Sequence, residues 1–276
     1  HRDKKIIFDG EEKILAQNIN SYLLDAPNIF IASKSRPLCN VPPMHFGNMP
    51  RDDKNLILSP DECEQILKKY PHAEKFIRPL VGAREFLHNE KRFCLWLVDA
   101  SPSEIKKIPP IYERVQAVKN FRQKIVEKSI HNKSVAKTAK KIAETPTLFA
   151  QITQPDGKDF LLIPRVSSKN RNYIPMGFCD KNFIANDSTL VIPDADLYLF
   201  GILESSVHML WTKIVCGRLK SDFRYSKDIV YNNFPFPEVS ETQRKKIEMT
   251  AQLILDARKK YPDSSLADLY DETLME

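Results

Sequence analysis

The sequence of 276 residues is 42% hydrophobic and carries a net charge of +6, so it has the apolar content of a globular core and a charge that favours a polyanionic partner. No apolar run approaches the roughly 20 residues that a membrane helix needs, and the N-terminal HRDKKIIFDGEEK lacks the apolar stretch of a secretory signal. We therefore expect a cytoplasmic protein that makes no membrane contact.

The cysteines and the chain ends add two expectations. Five cysteines, at positions 39, 63, 94, 179 and 216, include no C-x-x-C pair, which favours buried reduced thiols over disulfides or structural zinc. The first residue is His1, and the last residues, LADLYDETLME, follow a helical pattern without a cap. These features predict a fragment of a longer protein.

Prolines dominate the first third of the chain, where they favour extended backbone and break helices. Within this part, NIFIA (28–32) and RFCLWLVD (92–99) have the composition of strands. SPDECEQILKKY (59–70) predicts a helix, because Ser59 is a good N-cap and Pro60 suits the first helical position.

The next segment, from about Ile111 to Ala143, predicts helical structure with a basic face. Its apolar residues recur at helical spacing, and eleven Lys or Arg residues stand against three Glu residues between Glu104 and Lys141. This face is either a solvated helix surface or a surface that follows a phosphate backbone, and the sequence favours neither.

Strand-like segments return with TLFAQIT (147–153), DFLLIPRV (159–166) and STLVIP (188–193). Residues 194–216 are apolar nearly all round, which predicts a buried helix, and residues 240–261 predict a final helix. We therefore expect an α+β fold, with a mixed, mostly antiparallel sheet and packed helices, followed by a small C-terminal helical element.

Common catalytic motifs are missing from the sequence. None of the seven glycines forms a G-x-G, which excludes Rossmann and P-loop sites, and no [DNS]-P-P-[YFW] turn of an amino-methyltransferase occurs. Asp99 with Glu104 and Lys106 superficially matches the metal-dependent PD-(D/E)xK nucleases, but Pro102 interrupts the strands that this pattern requires. His208 has no partner acid or nucleophile in its apolar segment, which favours a core histidine.

Two segments carry residue types that bind nucleic acid. From Cys216 to Lys227, cations alternate with Leu219, Phe223 and Tyr225, as in a loop that is packed by its aromatic residues while it presents its charges. VSSKNRNYIPMG (166–177) is dense in Ser, Lys, Asn and Arg, the types that hydrogen-bond to base edges. An ordinary polar loop between strands explains the second composition equally well.

Seven segments, in order along the chain, carry a resemblance to a known family. They are FGNMPRDDKNLILS (46–59), FIRPLVGAREFL (76–87), RFCLWLVD (92–99), TPTLFA (145–150), PRVSSKNRNYIP (164–175), the long stretch from Leu199 to Pro237, and DLYDETLM (268–275). Together they resemble the C-terminal half of the single-chain restriction–modification methyltransferases of the MmeI-like Type IIG/IIL group. The similarity covers nearly the whole chain.

This resemblance implies a part of an adenine-N6 DNA methyltransferase that uses S-adenosylmethionine, with the catalytic domain outside this chain. Residues 1–25 would connect to that domain, residues 26–237 would form the DNA target recognition domain, and residues 238–276 would begin the C-terminal helices. The partners it implies are double-stranded DNA and the methyltransferase domain of the same full-length chain. The fragment is expected to be inactive alone.

An enzyme that flips an adenine needs phosphate contacts that orient the duplex and side chains that read its groove. We assign phosphate contact to Arg218, Lys220, Ser221, Arg224, Tyr225 and Lys227. We assign base readout to Ser168, Lys169, Asn170, Arg171 and Asn172, with Arg84 and Glu85 as further candidates. Two alternatives stay open: a stand-alone metal-dependent nuclease, and a protein-interaction module that docks the methyltransferase domain while its basic face is incidental.

Overall fold

Short strands and longer helices alternate along the chain in the computed structural model, which describes residues 5–20, 23–28, 30–129, 131–154, 157–271 and 273. The helices are α1 (Pro60–Lys69), α2 (Ala83–His88), α3 (Pro102–Lys106), α4 (Pro109–Lys128), α5 (Lys133–Ala143), α6 (Leu197–Leu203), α7 (Ser206–Val215), α8 (Glu241–Lys259) and α9 (Leu266–Leu269). A 3₁₀ helix at Pro71–Phe76 and a π-helical turn at Lys227–Tyr231 add to them.

The strands are short and fall into small sheets. They are β1 (Lys5–Asp9), β2 (Glu12–Ala16), β3 (His45–Phe46), β4 (Ile57–Leu58), β5 (Ile77–Val81), β6 (Phe93–Leu95), β7 (Phe160–Pro164), β8 (Val166–Ser167), β9 (Gly177–Cys179), β10 (Ile184–Ala185), β11 (Thr189–Pro193), β12 (Gly217–Leu219) and β13 (Asp222–Arg224). Among them, β10 and β5 pair in parallel, and the other ladders are antiparallel. The α+β class expected from the sequence is confirmed.

Three multi-stranded sheets organise the body of the molecule. A first sheet has the order β10-β5-β6-β4, and a second has the order β3-β11-β7-β9. The third sheet, β12-β13-β8, is separated from the second by a single residue, Arg165, because β8 follows β7 almost directly. Strands β1 and β2 form a hairpin of their own.

The second sheet is buried on both faces. Leu161 and Ile163 of β7 belong to the large core beneath α6 and α7, whereas Phe160 and Leu162 belong to a smaller cluster that includes Val81 of β5. Because successive residues of a strand point to opposite faces, a strand covered on both sides must be apolar throughout. This explains the continuous run FLLIP.

A second large core lies under the first sheet, where α1 and α4 cover it. Ile111, Val115 and Val118 of α4 are buried there against Leu56 and Leu95. The helical spacing of the three α4 residues was the basis of the helix prediction, which is confirmed. The same helix carries a charged residue into the protein interior at the next turn.

That charged residue is Arg122, which is almost fully buried. Its Nε donates to the carbonyl of Arg51 at 2.9 Å, and its Nη1 and Nη2 donate to carbonyls of two chain segments that flank α4. The acceptors of the Nη groups are Ile142 and Thr145 (3.1 and 2.9 Å) and Pro50 and Leu148 (both 2.8 Å). All five donors of the guanidinium are therefore satisfied by backbone.

Two glycines of the quoted segments allow close contact at Asn186. A Cβ atom at Gly47 would lie 1.9 Å from the Asn186 carbonyl oxygen, and one at Gly82 would lie 2.4 Å from the Asn186 side-chain nitrogen. A side chain at Gly47 would displace the backbone of this turn, which joins β10 to β11, and one at Gly82 would displace the Asn186 side chain. Gly47 and Gly82 therefore connect the first and second sheets.

Several element predictions are confirmed and three are wrong. α1 begins at Pro60 with Ser59 in a capping box, and β6, β7, β11 and α8 lie within their predicted segments. The described residues of NIFIA are not in a strand, and Phe30 is 92% exposed. TLFAQIT contributes only a bridge between Gln151 and Met49. Both segments have strand composition, but among the described residues neither forms a ladder with another strand.

The third error concerns residues 194–216, which form two helices instead of one. The Ser205 side chain accepts from the His208 backbone N–H at 3.2 Å and so starts α7, directly after Glu204 has ended α6. α7 is also not fully buried, because its apolar residues Val207 and Leu210 are exposed. Within the described ranges, no helix is long and apolar enough to cross a membrane.

Candidate nucleic-acid interface

The two polar segments singled out in the sequence meet on the third sheet. β13 pairs with β12 on one side and with β8 on the other, with Phe223 opposite Ser167 and Arg224 opposite Val166. The Lys169 backbone N–H also donates to Asp222 Oδ1 at 3.1 Å. We call β8, β12, β13 and the turn at 220–221 the cationic sheet, and residues 168–176, which lead from β8 to β9, the readout loop.

Aromatic residues fix the cationic sheet to the large core. Phe223 and Tyr225 are buried, as is Cys216 at the end of α7, while Arg224 between the two aromatic residues is exposed. Alternation along an extended chain places residues 223 and 225 on the inner face and residue 224 on the outer face. The alternation of apolar and charged residues in the sequence is thus the in–out pattern of β13, the central strand of this sheet.

Tyr225 corrects the sequence-based assignment of phosphate contacts. Its hydroxyl lies 2.9 Å from His208 Nε2, and burial raises the pKa of the phenol well above its usual value. The side chain is 1% exposed, so the hydroxyl cannot reach a phosphate. Tyr225 instead belongs with Phe223 among the residues that anchor the sheet.

His208 is the core histidine that the sequence predicted. Burial lowers its pKa to about 3, which keeps the imidazole neutral, and its ring packs edge-on against Phe234 at 4.6 Å between centroids. Its Nδ1 has no hydrogen-bond partner in the part of the chain that the structure describes. A buried neutral ring of this kind supports the aromatic layer under the sheet.

Lys220, Ser221 and Arg224 are the most available of the predicted phosphate contacts. All three are exposed, and the side chains of Lys220 and Arg224 make no hydrogen bond or ion pair with any described residue. Lys220 has a φ of 57°, a left-handed conformation that costs a non-glycine residue about 1 kcal/mol. The turn thus holds a strained cation at the tip of the hairpin.

Arg218 and Lys227 are partly committed to the protein itself. The Arg218 guanidinium lies 4.0 Å over the Phe223 ring and donates to the Lys213 carbonyl at 3.1 Å. Lys227 pairs with Asp228 at 2.8 Å, and its ammonium lies 5.6 Å over the Phe46 ring. A stacked arginine keeps further N–H groups for a phosphate, whereas the Lys227 charge is already partly neutralised.

The readout loop begins with a tight turn. Ser168 accepts the Asn170 backbone N–H on its Oγ at 3.2 Å and the Arg171 N–H on its carbonyl, also at 3.2 Å. Lys169, Asn170 and Asn172 are exposed, while Arg171 is half-buried. Burial lowers the pKa of Arg171, and the nearby carboxylates of Asp271 and Asp222 oppose that shift.

The two candidates on α2 differ from each other. Arg84 is exposed, although its Nε contacts both carboxylate oxygens of Glu90 at 3.0 Å. Glu85 is buried, accepts the Gly82 backbone N–H at 2.9 Å and pairs with Arg92 at 2.9 Å. Glu85 therefore stabilises the start of α2 and is not free to read a base, which corrects its assignment.

Sequence reasoning missed a cation beside the sheet. Arg165, the residue between β7 and β8, lies 5.1 Å over the Phe46 ring, so that Phe46 has Arg165 and Lys227 as its two cationic neighbours. Arg165 also donates to the Asp187 carbonyl at 2.7 Å. Phe46 is distant from both cations in sequence, and no local signal predicts this contact.

The nuclease pattern, which the sequence already disfavoured, does not lie on strands, because Glu104 and Lys106 are on one short helix. Glu104 lies on the short helix α3 and caps it by accepting the Ser101 backbone N–H at 3.0 Å, while it also pairs with Lys75. These contacts lower the pKa of Glu104 to about 2. Over the described ranges, no group of three or more His, Cys, Asp or Glu side chains is placed to hold a metal ion.

An α+β fold that gathers exposed cations on one small sheet, beside a loop of amide and cationic side chains, defines a polyanion-binding domain. Models of the MmeI target recognition domain and the MmeI C-terminal domain match residues 25–238 and 239–276. The chain therefore belongs to the MmeI family, with a target recognition domain followed by a segment that matches the C-terminal domain. The resemblance seen in the sequence is confirmed.

Two similar proteins support this assignment. DNA methyltransferase A of Bacillus subtilis (strain 168) is 39% identical over 271 residues, which cover 98% of this chain and 30% of that protein. A solved structure of the Type IIL restriction–modification enzyme MmeI in complex with DNA is 41% identical and superposes with a TM-score of 0.91. That match covers 99% of this chain and 36% of the MmeI chain, so the chain spans about a third of both proteins.

Proposed function

We propose that this chain recognises double-stranded DNA on behalf of an adenine-N6 methyltransferase of a restriction–modification system. The observation that carries the proposal is the meeting of the cationic sheet and the readout loop, which places free cations next to side chains suited to base edges. To methylate an adenine, an enzyme flips it out of the duplex, so another surface must hold the flanking base pairs. We propose that this chain provides that surface.

Phosphate contact is the role proposed for the cations of the cationic sheet. Lys220 and Arg224 have no competing partner among the described residues, and Arg218 is held in place by stacking on Phe223. Charged donors of this kind fix the register of a protein on a duplex without reading its sequence. Ser221 adds a hydroxyl donor between them.

Base readout is the role proposed for the readout loop. Asn170 and Asn172 present amides that suit adenine, and Lys169 and Arg171 present donors that suit guanine. Arg84 stays a candidate at the start of α2. Its neighbour Ala83 donates its N–H to Ser188 Oγ at 2.8 Å, and the Ser188 carbonyl accepts the Arg165 N–H at 3.0 Å, which connects α2 to the start of β8.

Catalysis is proposed to lie in the remainder of a larger protein. The seven glycines of this chain form no phosphate- or cofactor-binding loop, and the chain has no N-P-P-[YF] turn, so its residues do not fit S-adenosylmethionine. We propose that the cofactor is bound by a methyltransferase domain of the same parent chain. With DNA as the partner, the proposed location is the cytoplasm.

Binding of the purified chain to labelled duplex DNA tests the proposal. Fluorescence anisotropy at increasing salt should give an association constant that falls steeply, because bound phosphates release counterions. Selection from a randomised duplex pool should then enrich a defined sequence. Absence of duplex binding at low salt would contradict the proposed function, whatever the outcome of the other measurements.

Arg171 and Arg224 separate the two proposed roles. Arg171→Ala should change which bases are enriched from the pool, because a good bidentate pair contributes about 1–3 kcal/mol of discrimination. Arg224→Ala should lower affinity for all sequences similarly. A uniform loss of affinity in Arg171→Ala would remove this residue from the readout set.

A docking role is a second candidate, favoured by apolar side chains that α7 leaves uncovered. Val207 and Leu210 are 68% and 60% exposed on that helix. A separately expressed methyltransferase domain of the parent protein should bind the chain if this surface is a domain interface, and Leu210→Lys should weaken that binding. DNA binding at low salt distinguishes this role from the main proposal, because docking alone predicts none.

A further inference from the structure

The end of the readout loop is held by residues from outside it. Glu204, at the junction of α6 and α7, accepts the Met176 backbone N–H on Oε1 at 3.0 Å. Arg258 of α8 donates from Nη1 to the Met176 carbonyl at 2.6 Å. Both polar backbone groups of this residue are therefore occupied by side chains, one of which belongs to the C-terminal helices.

A third residue completes this cluster. The Tyr270 hydroxyl donates to Glu204 Oε2 at 3.0 Å and also contacts Arg258 Nη2, which pairs with Glu204 Oε1 at 3.1 Å. The Arg258 guanidinium lies over the rings of Phe200 and Tyr270, at 5.4 and 5.2 Å. Tyr270 follows α9 and so connects the last described part of the chain to the readout loop.

The C-terminal helices also approach the loop nearer its tip. Asp271, the residue after Tyr270, lines a cavity together with Asn172 and Tyr173 of the loop, and its charge opposes the lowering of the Arg171 pKa by burial. This cavity of about 520 Å³ lies between the two regions, with Asn172 and Tyr173 on the loop side and Tyr261 and Tyr270 on the other. The loop is thus fastened at Met176, and the C-terminal segment lies across the cavity from Asn172 and Tyr173.

Two elements can be joined without a buried ionic cluster, because apolar contacts do not require the desolvation of charges. Desolvation of buried charges generally offsets much of their attraction, and apolar contacts of the same volume often join two elements equally well. What the cluster adds is direction, because each donor and acceptor fixes the position of the Met176 backbone. At the other end, the pairing of β8 with β13 fixes where the loop starts.

We propose that the C-terminal helices position the readout loop for base recognition, with Tyr270 and Asp271 as positioning residues that do not themselves contact DNA. This proposal rests on the proposed function, since it requires that residues 168–176 read bases. It assigns to the segment after the recognition domain a part in sequence specificity. Loss of the Tyr270 hydroxyl should loosen Glu204 and Arg258, which hold Met176, and a change at Asp271 should alter the cavity wall that faces Asn172.

Tyr270→Phe and Tyr261→Phe form a matched pair for the test. Both tyrosines line the same cavity, but the Tyr261 hydroxyl has no hydrogen-bond partner within the described ranges. For each variant of the full chain, we would measure enrichment from a randomised duplex pool, the salt dependence of affinity, and the melting temperature. Tyr270→Phe should reduce discrimination at one or more base pairs by roughly tenfold, with the salt dependence unchanged, and Tyr261→Phe should match wild type.

Asp271→Asn keeps the test decisive if Tyr270→Phe does not fold, because Asp271 is exposed. It should shift base preference at the position that Arg171→Ala affects. Unchanged base preference in the folded variants, with at most a lower melting temperature, would overturn the proposal and leave the cluster a purely structural contact. If wild type itself binds duplex DNA without any preference, the proposed readout fails first, which distinguishes the two outcomes.

Discussion

Two arginines in different regions of this molecule differ in burial and in whether the protein itself occupies their hydrogen-bond donors. Arg122 of α4 is buried, and backbone carbonyls occupy all five of its donors. Arg224 of the cationic sheet is exposed, with no side-chain partner among the described residues. Helices α4 and α5 carry more cations, but their most buried cation, Arg122, stabilises the fold. The smaller cationic sheet leaves Lys220 and Arg224 available to a ligand. The number of cations does not identify a binding surface; the number of unoccupied donors does.

The largest expected effect is at Arg122. Arg122→Met should lower the free energy of unfolding by about 3–5 kcal/mol, because carbonyls that Arg122 now satisfies would be left buried without donors. Urea denaturation measures the change, and Lys119→Met, at an exposed position of the same helix, is the control. A decrease in the free energy of unfolding below about 1 kcal/mol would show that water replaces the guanidinium and that Arg122 contributes little to stability.

Glu204 sharpens the comparison, because it is a buried carboxyl group with charged and polar partners. Burial raises its pKa from 4.5 to about 7, although Arg258 opposes the shift. The folded chain therefore keeps a proton that the unfolded chain has lost, so the contribution of Glu204 to stability falls as pH rises from about 4.5 to about 7.

Comparison of wild type with Glu204→Gln isolates this effect. His208 acts in the opposite direction below pH 6.5, since its pKa is lowered to about 3, but it is present in both proteins and cancels. Between pH 4.5 and 7, wild type should lose stability relative to Glu204→Gln. Parallel pH profiles of the unfolding free energy would show that Glu204 is ionised throughout this range.

Tyr225 tests the division between anchoring and binding within the cationic sheet. Tyr225→Phe should lower the free energy of unfolding by about 1 kcal/mol, because His208 loses its hydrogen-bond partner. DNA affinity and its salt dependence should stay at wild-type values at a temperature where the variant is folded. A lower DNA affinity of the folded variant, with the salt dependence unchanged, would mean that the hydroxyl reaches a phosphate after all, because a neutral hydroxyl releases no counterion.

The smallest effect is expected on the exposed basic face of α4 and α5, whose role the sequence left open. Lys137→Ala should change the free energy of unfolding by less than about 0.5 kcal/mol, as is usual for an exposed side chain. The salt dependence of DNA binding should also stay unchanged. A lower salt dependence would extend the binding surface from the cationic sheet to these helices.

Local patterns predicted much of the fold. The Ser59 cap, the helical spacing of Ile111, Val115 and Val118, and the apolar run of β7 each depend on neighbours in sequence, and each prediction is confirmed. The break between α6 and α7 was missed because its cause is a single capping side chain, Ser205, within an otherwise apolar segment.

The site was predictable only in part, because its geometry comes from pairing of distant segments. The sequence pointed to both polar segments, but not to their union through the pairing of β8 with β13. The alternation of Phe223, Arg224 and Tyr225 in the sequence already indicated that Tyr225 points inward with Phe223, because residues two apart in a strand share a face. The contacts of Met176 with Glu204 and Arg258 have no signature in the local sequence.

Removal of the two free cations from the cationic sheet tests the central claim most directly. We would measure the slope of the logarithm of the association constant against the logarithm of salt concentration for wild type, for Lys220→Ala with Arg224→Ala, and for Lys137→Ala with Lys141→Ala. The first pair should reduce the magnitude of the slope by about 2, since each lost phosphate contact contributes about 0.9, and the second pair should leave it unchanged. An unchanged slope for the first pair, or an equal reduction for both, would contradict the account.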